Sequence, residues 1–453
     1  MDISEGINHI KKKNFVTALN FFLDLEKNSK QDLNLFFYLG VIFYELGDFK
    51  KSIYYYEKIL EKNPTSINAL YNLAIVKQNI GKIDSAKKIY NDLKRIDVNK
   101  IKPYYGLFTL KPEYLLEEDF ESISSMKENK IPSSYDLGLI NFLLSKREKK
   151  NKTFENEVEL LKKFHSCIFH SNYGHNMSAR FYYRQIINKN FDKIKFTGNS
   201  VVDERNTYSP IFIVGLPRSG STLLESVLKS SKENILSVGE CNVINGSILE
   251  QIGPKIYIKN FNSENFKFEI NREVLNRSVL NRYLQLNLNE KENKVFIDKS
   301  LENFFNIQII FNIFPNAKFI HTFRNPVDSV ISIFQSMLAE LAWTHSIEDI
   351  LNYMDYYYKA VNYFKKKYPR NFIDLDLEKF SIEPEKSTKD IYKFCNLTWT
   401  EDSLNFYKRK DLFSKTLSYT QIRNKIIKYD SKKYENYFYL LERYKENYGW
   451  LKI

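Results

Sequence analysis

Through the first hundred residues, small and bulky apolar positions recur at a fixed spacing of 34: Ala18, Ser52 and Ala86 share one frame, as do Phe22, Tyr56 and Tyr90, and Gly6, Gly40 and Ala74. Gly47 and Gly81 repeat at the same offset. In the clearest unit, YLGVIFYELGDFKKSIYYYEKILEKNP, the apolar positions keep helical spacing, and Pro64 predicts the end of its second helix. The pattern predicts antiparallel helix pairs in which small residues permit close approach and aromatic side chains fill the space between neighbours. From about Lys102 to Ser200 the period decays, although SSYDLGLINFLLSKREKK and the segment after it still read as a helical pair.

Beyond Tyr208 the pattern changes to short apolar runs, PIFIVG, KVFIDKS, AKFIHTFRNP and RNFIDLDLE, alternating with helical stretches. LENFFNIQIIFNIFP, between the second and third runs, reads as a crossover helix. This alternation predicts an α/β domain with a mainly parallel sheet. Ligands of such sheets bind at the carboxyl ends of the strands, so functional residues are expected in the loops that follow these runs.

Composition narrows the possibilities. With 453 residues, 43% of them apolar, the chain can build two or three domains with proper cores. Cys167, Cys241 and Cys395 are odd in number and far apart, which fits a reducing compartment and no disulfide framework. The N-terminal MDISEGINHIKKK has no apolar run behind it, and no window is long and apolar enough for a membrane span, so a soluble, cytoplasmic protein is expected. A net charge of +13 would attract nucleic acid, a membrane surface or an acidic ligand. The lysines are dispersed, however, and no basic stripe with aromatic spacing supports nucleic-acid binding. His165, Cys167, His170 and His175 fit neither a zinc finger nor an HExxH helix, and no metal site is expected.

The chemistry gathers at GLPRSGST, between the strand IFIVG and the helix TLLESVL. Gly215 and Gly220 bracket the turn, and Arg218, Ser219, Ser221 and Thr222 line it. Backbone N–H groups at such a turn, with the positive end of a helix behind them, hold an anion. The lysine that a nucleoside-triphosphate loop carries before its hydroxyl pair is missing, and Arg218 stands in the loop instead. That suits a ligand with less charge to neutralise, such as a 5′-phosphate bearing a sulfuryl group. A second candidate lies in FIHTFRNPVDSVISIF, where Arg324 ends a strand, Asn325 is a candidate N-cap, Pro326 is at the first helical position, and Asp328 could complete the cap.

The 34-residue pattern is similar to that of tetratricopeptide repeats, and GLPRSGST resembles the 5′-phosphosulfate loop of PAPS-dependent sulfotransferases (PAPS, 3′-phosphoadenosine 5′-phosphosulfate). The loop resembles particularly that of tetratricopeptide-repeat sulfotransferases and of the related protein-tyrosine sulfotransferases. The likeness runs from about Tyr208 to the C-terminus and covers the order of domains. The resemblance implies repeats over 1–100, a degenerate helical repeat and connector over 101–205, and a P-loop-like, nucleotide-binding sulfotransferase domain over 206–453. It further implies PAPS as the donor and no required metal, an activity of the EC 2.8.2 class. Carried onto this sequence, Arg218 to Thr222 hold the 5′-phosphosulfate, Arg324 and Ser332 the 3′-phosphate, Glu240 of LSVGE is the base, and Lys299 of VFIDKS contacts the bridging oxygen. Near SYTQIRNKI, Ser418 supports the sulfuryl oxygens, and Arg423 and Lys432 touch the nucleotide.

Two other readings compete. A P-loop kinase would use Ser221 or Thr222 with Asp298 on Mg²⁺, but it needs the missing lysine and has no use for Arg324 with Ser332. A repeat scaffold with a degenerate nucleotide-binding domain would have no reason to keep five separated polar residues of the right type. His321, one residue within an apolar strand, reads as a hydrogen-bonded core histidine. The acceptor is a hydroxyl of unstated identity, with peptide tyrosine, a glycan, a lipid head group and a small molecule all open, and the concave surface of a repeat array points toward a polypeptide partner.

Overall fold

The computed structural model describes residues 3–11, 14–28, 32–129, 132–198, 208–233, 235–258, 261–264, 266–286, 288, 294–409 and 421–452. Its described residues form two units, one running up to Arg147 and the other comprising Glu148–Arg409 and the segment from Gln421 onward.

In the first unit the helices Ser4–Lys11, Phe15–Asn28, Leu33–Glu45, Phe49–Lys62, Ile67–Asn79, Ile83–Ile96 and Lys102–Leu110 follow one another. Each consecutive pair from the first to the last packs together. The positions that share the 34-residue frame explain why: Ala18, Ser52 and Ala86 are fully buried, and Phe22, Tyr56 and Tyr90 fill the space beside them. A Cβ on Gly6 would come 2.5 Å from the Phe22 ring, and one on Gly40 would come 2.7 Å from the Tyr56 ring. Ser52 adds a bond to this contact, its hydroxyl donating to the Gly40 carbonyl at 2.8 Å. Tyr90 meets Tyr71 and donates its hydroxyl to Gln78, both on the helix that carries Ala74, and its ring also presses on Gly106, where a Cβ would come within 2.4 Å. Helices Glu117–Asn129 and Ser134–Lys150 come next.

The second unit begins with helices Phe154–Ser171 and Tyr173–Phe181, the latter running into a π-helical turn, Tyr182–Ile187. Its strands are β1 (Lys195–Thr197), β2 (Ile211–Gly215), β3 (Leu236–Ser237), β4 (Glu269–Asn271), β5 (Phe296–Asp298), β6 (Lys318–Phe323) and β7 (Phe372–Asp376). β1 and β4 make a small parallel pair, and the other five form one sheet in the order β3-β5-β2-β6-β7. Every pairing in it is parallel, with Ile211 opposite both Ile297 and Lys318. β2 is buried at all of its residues, which is why IFIVG shows no polar alternation. Strands β3 and β5 lie to one side of β2, and β6 and β7 to the other, so the carboxyl end of β2 is where the winding reverses.

Leu224, Val227 and Leu228 of the next helix, Ser221–Leu228, join Ile211, Ile213, Ile297, Ile320 and Leu375 in one apolar core. The crossover between β5 and β6 consists of a 3₁₀ turn, Leu301–Phe305, followed by a helix, Ile307–Ile313. Among the described residues, no helix is long and apolar enough to cross a membrane.

The turn out of β2 is possible only with glycine. Gly215 has φ 151°, and a Cβ there would meet the backbone oxygen of Thr322 at 2.3 Å. Gly215→Ala should therefore lower the unfolding free energy of this unit by about 2 kcal/mol or more. A denaturant melt that leaves the transition of this unit in place would contradict that expectation.

Candidate anion-binding and transfer site

The loop after β2 is held in shape by its own hydroxyl. Ser219 Oγ donates to the Leu216 carbonyl at 2.7 Å and lies 2.7 Å from Thr322 Oγ1 on β6, so its hydrogen bonds are spent on the protein. Arg218 has φ 70° and Gly220 φ 87°, two left-handed residues that fold the turn back over the start of helix Ser221–Leu228. The first N–H groups of a helix have no partner within it, so those beyond Gly220 face the turn. Burial above all, with the like charge of Arg324 adding to it against the opposing pull of Tyr434, pushes the Arg218 guanidinium below its usual range.

The lysine absent from the loop arrives from the neighbouring strand. Backbone pairing of β3 and β5 continues past the strand ends, with Val238 N–H donating to Ile297 O at 2.9 Å and Lys299 N–H to Gly239 O at 3.0 Å. This brings Glu240 and Lys299 side by side. Lys299 Nζ donates to Thr222 Oγ1 at 3.2 Å and to Glu240 Oε1 at 2.9 Å, and forms an ion pair with Glu225 Oε2 at 3.2 Å. The Lys299 side chain is 2% exposed and that of Glu240 is 53% exposed. Burial alone would lower the Lys299 pKa, but Glu225 and Glu240 outweigh it and raise it above the usual range. Burial would likewise raise Glu225, yet Lys299 and the Ser237 hydroxyl, which donates to Glu225 Oε1 at 2.5 Å, hold it below the usual carboxylate range.

The sign of the resulting linkage follows from both directions. The raised Lys299 contributes stability that is present at neutral pH and lost as pH rises through its folded pKa. The lowered Glu225 contributes stability that is present above its unfolded pKa and lost as pH falls. The pair therefore supports the fold across the neutral range.

On the other side of β2, Arg324 directly follows β6. It is buried, its guanidinium donates to the Asp328 carbonyl, and its Nε is buried with no hydrogen-bond partner among the described residues. Asn325 caps helix Pro326–Phe334, accepting from Val327 N–H at 2.9 Å and Asp328 N–H at 3.3 Å. Asp328 takes no part in the cap through its carboxylate, which accepts from the Tyr429 hydroxyl. Ser332 is buried two turns into the helix. Tyr434 completes this corner, its ring centre 5.3 Å from the Arg324 guanidinium carbon. Burial pushes the Tyr434 phenol up, but Arg324, Lys433 and Ser332 together bring it below its usual range. The corner is built for negative charge.

The remaining candidates fall differently. Ser418 lies outside the described residues. Arg423 is half-buried in the short turn Gln421–Arg423, and Lys432 is exposed, with its backbone N–H on Asp430; Lys433 is the lysine whose charge reaches the Tyr434 phenol. Asp298 is fully buried and accepts from Tyr283 OH at 2.6 Å, Ser300 N–H at 2.7 Å, Cys241 Sγ at 3.3 Å and Asn303 Nδ2 at 3.4 Å, leaving little of it for a metal. His321 sits between Asp374 and the Tyr357 hydroxyl, and burial pushes its pKa down, as befits a core histidine. His165 is equally committed, its Nε2 2.7 Å from the Phe334 carbonyl and its Nδ1 3.3 Å from His345 Nδ1.

Sequence reasoning passed over Glu225, Tyr434 and Lys433. The signal for Glu225 was present: three residues beyond Thr222 on one helix, it shares that residue's face. Nothing local marked Tyr434, whose partners are about a hundred residues away.

Comparison with known proteins places two stretches of this chain in described families. Residues 210–401 match the model of the sulfotransferase family, and residues 43–107 that of the tetratricopeptide repeat. An uncharacterized protein of Aquifex aeolicus (strain VF5) is 25% identical over 398 residues, covering 83% of this chain and 49% of its own length; the chain thus spans about half the length of this curated relative. The sulfotransferase domain from the Synechococcus PCC 7002 olefin synthase is 17% identical, covers 50% of this chain and 88% of its own, and superposes with a TM-score of 0.33. Sulfotransferase STF1 from Mycobacterium tuberculosis H37Rv is 14% identical, with coverages of 68% and 98% and a TM-score of 0.31.

The Lys299 network yields an expectation about stability. Lys299→Met leaves Glu225 a buried, uncompensated carboxylate and should destabilise the unit by roughly 3–5 kcal/mol at neutral pH. Adding Glu225→Gln in the same chain should recover much of that loss. Denaturant unfolding of the single and double variants measures both, and a single variant as stable as the parent would refute the pairing.

Proposed function

We propose that this chain, which carries a sulfotransferase-family domain over residues 210–401 behind tetratricopeptide repeats, transfers the sulfuryl group of PAPS to a hydroxyl acceptor. The observation that carries this reading is a pair of cationic sites on one sheet edge. One is the loop of Arg218 to Thr222 with Lys299 brought in from β5; the other is Arg324, whose buried Nε has no hydrogen-bond partner among the described residues, beside Ser332. A nucleotide with phosphate at both 3′ and 5′ positions needs such a pair, and a triphosphate does not.

Bound at this edge, the donor supplies an activated sulfuryl group and a 5′-phosphate to leave. Lys299 Nζ is a compact point charge suited to the anion that develops on the leaving oxygen. Glu240, whose carboxylate is half-exposed beside it, takes the proton of the acceptor hydroxyl. Arg218 and Lys299 together balance the charge of the 5′ group, the loop amides and the hydroxyls of Ser221 and Thr222 donate to its oxygens, and on this assignment no divalent ion is needed. Ser418 is assigned to the sulfuryl oxygens by resemblance alone. For the acceptor, the reading favours a polypeptide bound by the repeat array, whose stacked helices present an extended surface.

Two measurements test this reading. Arg324→Ala should cost roughly 1.5–3 kcal/mol in binding adenosine 3′,5′-bisphosphate and almost nothing for adenosine 5′-monophosphate, with Ser332→Ala following the same pattern more weakly. Equal losses for both nucleotides by calorimetry would remove the 3′-phosphate assignment. Bisphosphate binding should also survive EDTA, whereas tight, Mg²⁺-dependent binding of ATP with indifference to the bisphosphate would favour a kinase.

Glu240→Gln should cut turnover by about a hundredfold or more while leaving bisphosphate affinity undiminished, because the proton transfer belongs to the transition state. Full turnover in that variant would pass the base role to another residue.

A further inference from the structure

Lys299 has three protons to donate, and the structure gives it three acceptors: Thr222 Oγ1, Glu240 and Glu225. To reach a leaving oxygen, the ammonium has to give up one of them. Thr222 belongs to the loop helix itself. Glu240 is 53% exposed and carries no other hydrogen bond among the described residues. Glu225 is 15% exposed at its side chain and is tied through Oε1 to the Ser237 hydroxyl at 2.5 Å, so its second oxygen has little freedom to turn away from Lys299. The carboxylate that stays is Glu225.

We propose that Glu225 is a positioning residue for the transfer: anchored by Ser237, it fixes the Lys299 ammonium at the mouth of the loop and keeps it cationic, while Glu240 is the partner that the donor's leaving oxygen replaces. This rests on the sulfotransferase reading and deepens it. Glu225 touches neither donor nor acceptor, and acts through Lys299. A buried lysine without it would have burial working to strip its proton, and only the exposed Glu240 opposing that. The arrangement also accounts for an exchange. When an anionic oxygen takes the place of Glu240 on Lys299, the Glu240 carboxylate is released, unpaired, toward the acceptor.

The charged groups that bear on this pair are few. Glu225 lies on the loop helix, and Lys229 at its end acts on Glu225; Glu240 follows β3; and Asp298, the chain neighbour of Lys299, is occupied by Tyr283, Cys241, Ser300 and Asn303.

The test is calorimetric titration of the full chain with adenosine 3′,5′-bisphosphate from about pH 6 to about pH 10, a probe whose 5′-phosphate needs the Lys299 charge. Because losing Glu225 lowers the Lys299 pKa, Glu225→Gln should bind within about threefold of the parent at the acid end. It should then lose affinity at a lower pH than the parent, reaching a deficit of about tenfold or more at the alkaline end. Glu225→Asp, which keeps the carboxylate, should move the loss back toward the parent, whose Lys299 stays charged across this range. Ser237→Ala, a milder change that keeps every charge, should shift the profile in the direction of Glu225→Gln by less. The Lys299→Met, Glu225→Gln double variant has no ammonium to titrate and should show no such alkaline loss. A Glu225→Gln profile that coincides with the parent's, or an alkaline loss that persists in the double variant, overturns the role of Glu225. Absence of bisphosphate binding by the parent chain at every pH overturns the donor reading instead, and this inference with it.

Discussion

A lysine ammonium at the carboxyl edge of a buried parallel sheet has to be met by oxygen acceptors, and much of this site is arranged around that requirement. Lys299 stands at the end of β5 with almost no exposure, and satisfying it draws together three segments: the loop helix through Thr222 and Glu225, the end of β3 through Glu240, and β3 itself through Ser237 on Glu225. Left unpaired, such a charge costs several kcal/mol, and with its partners in place it draws the helix and both strand ends to one point. The same ammonium then faces the turn where an anion would sit. Its structural and chemical roles coincide.

The loop that receives this charge depends on a second constraint, the closeness of β2 and β6. Gly215 leaves no room for a Cβ beside Thr322, and Ser219 closes the gap with a hydrogen bond to the Thr322 hydroxyl. Because the loop is bonded to β6, its geometry is tied to the strand that carries Arg324. Two guanidiniums, Arg218 and Arg324, are held within electrostatic reach of each other although their residues are far apart in the chain. Like charges brought together in a poorly solvated place are costly unless something negative joins them. In this structure the Asp328 carboxylate and the Tyr434 phenol both lie within reach of the Arg324 charge, which favours the ionised form of each.

The repeat unit follows a different logic, in which shape outweighs charge. Gly6 and Gly40 are small because the rings of Phe22 and Tyr56 occupy the space a side chain would need, and the cost of enlarging them is steric. Each contact links a helix to its near neighbours, which is why the pattern could be read at a fixed period. Tyr90 extends the pattern to the next helix as well. Its ring meets Tyr71 and its hydroxyl Gln78 on the preceding helix, and the ring leaves no room for a side chain at Gly106 on the following one.

The sequence by itself determined whatever depends on neighbours along the chain. Helix pairs came from a 34-residue period, strands from short apolar runs, the loop from its glycines, and the cap at Asn325 from its place before Pro326, because each is a local preference written in a few consecutive residues. That Arg324 would stand beside a helix start was legible for the same reason. Tertiary structure alone decided which of the many carboxylates would meet Lys299, and that Asp298, which resembled a metal ligand in its strand, would spend its oxygens on Tyr283, Ser300, Cys241 and Asn303. It also brought Tyr434 onto Arg324 across about a hundred residues of chain. The reason is physical: periodicity encodes which face of an element is buried, whereas the partner of a buried charge is set by where the sheet order and its crossovers deliver distant side chains, and neither distance nor burial is written in the residues themselves.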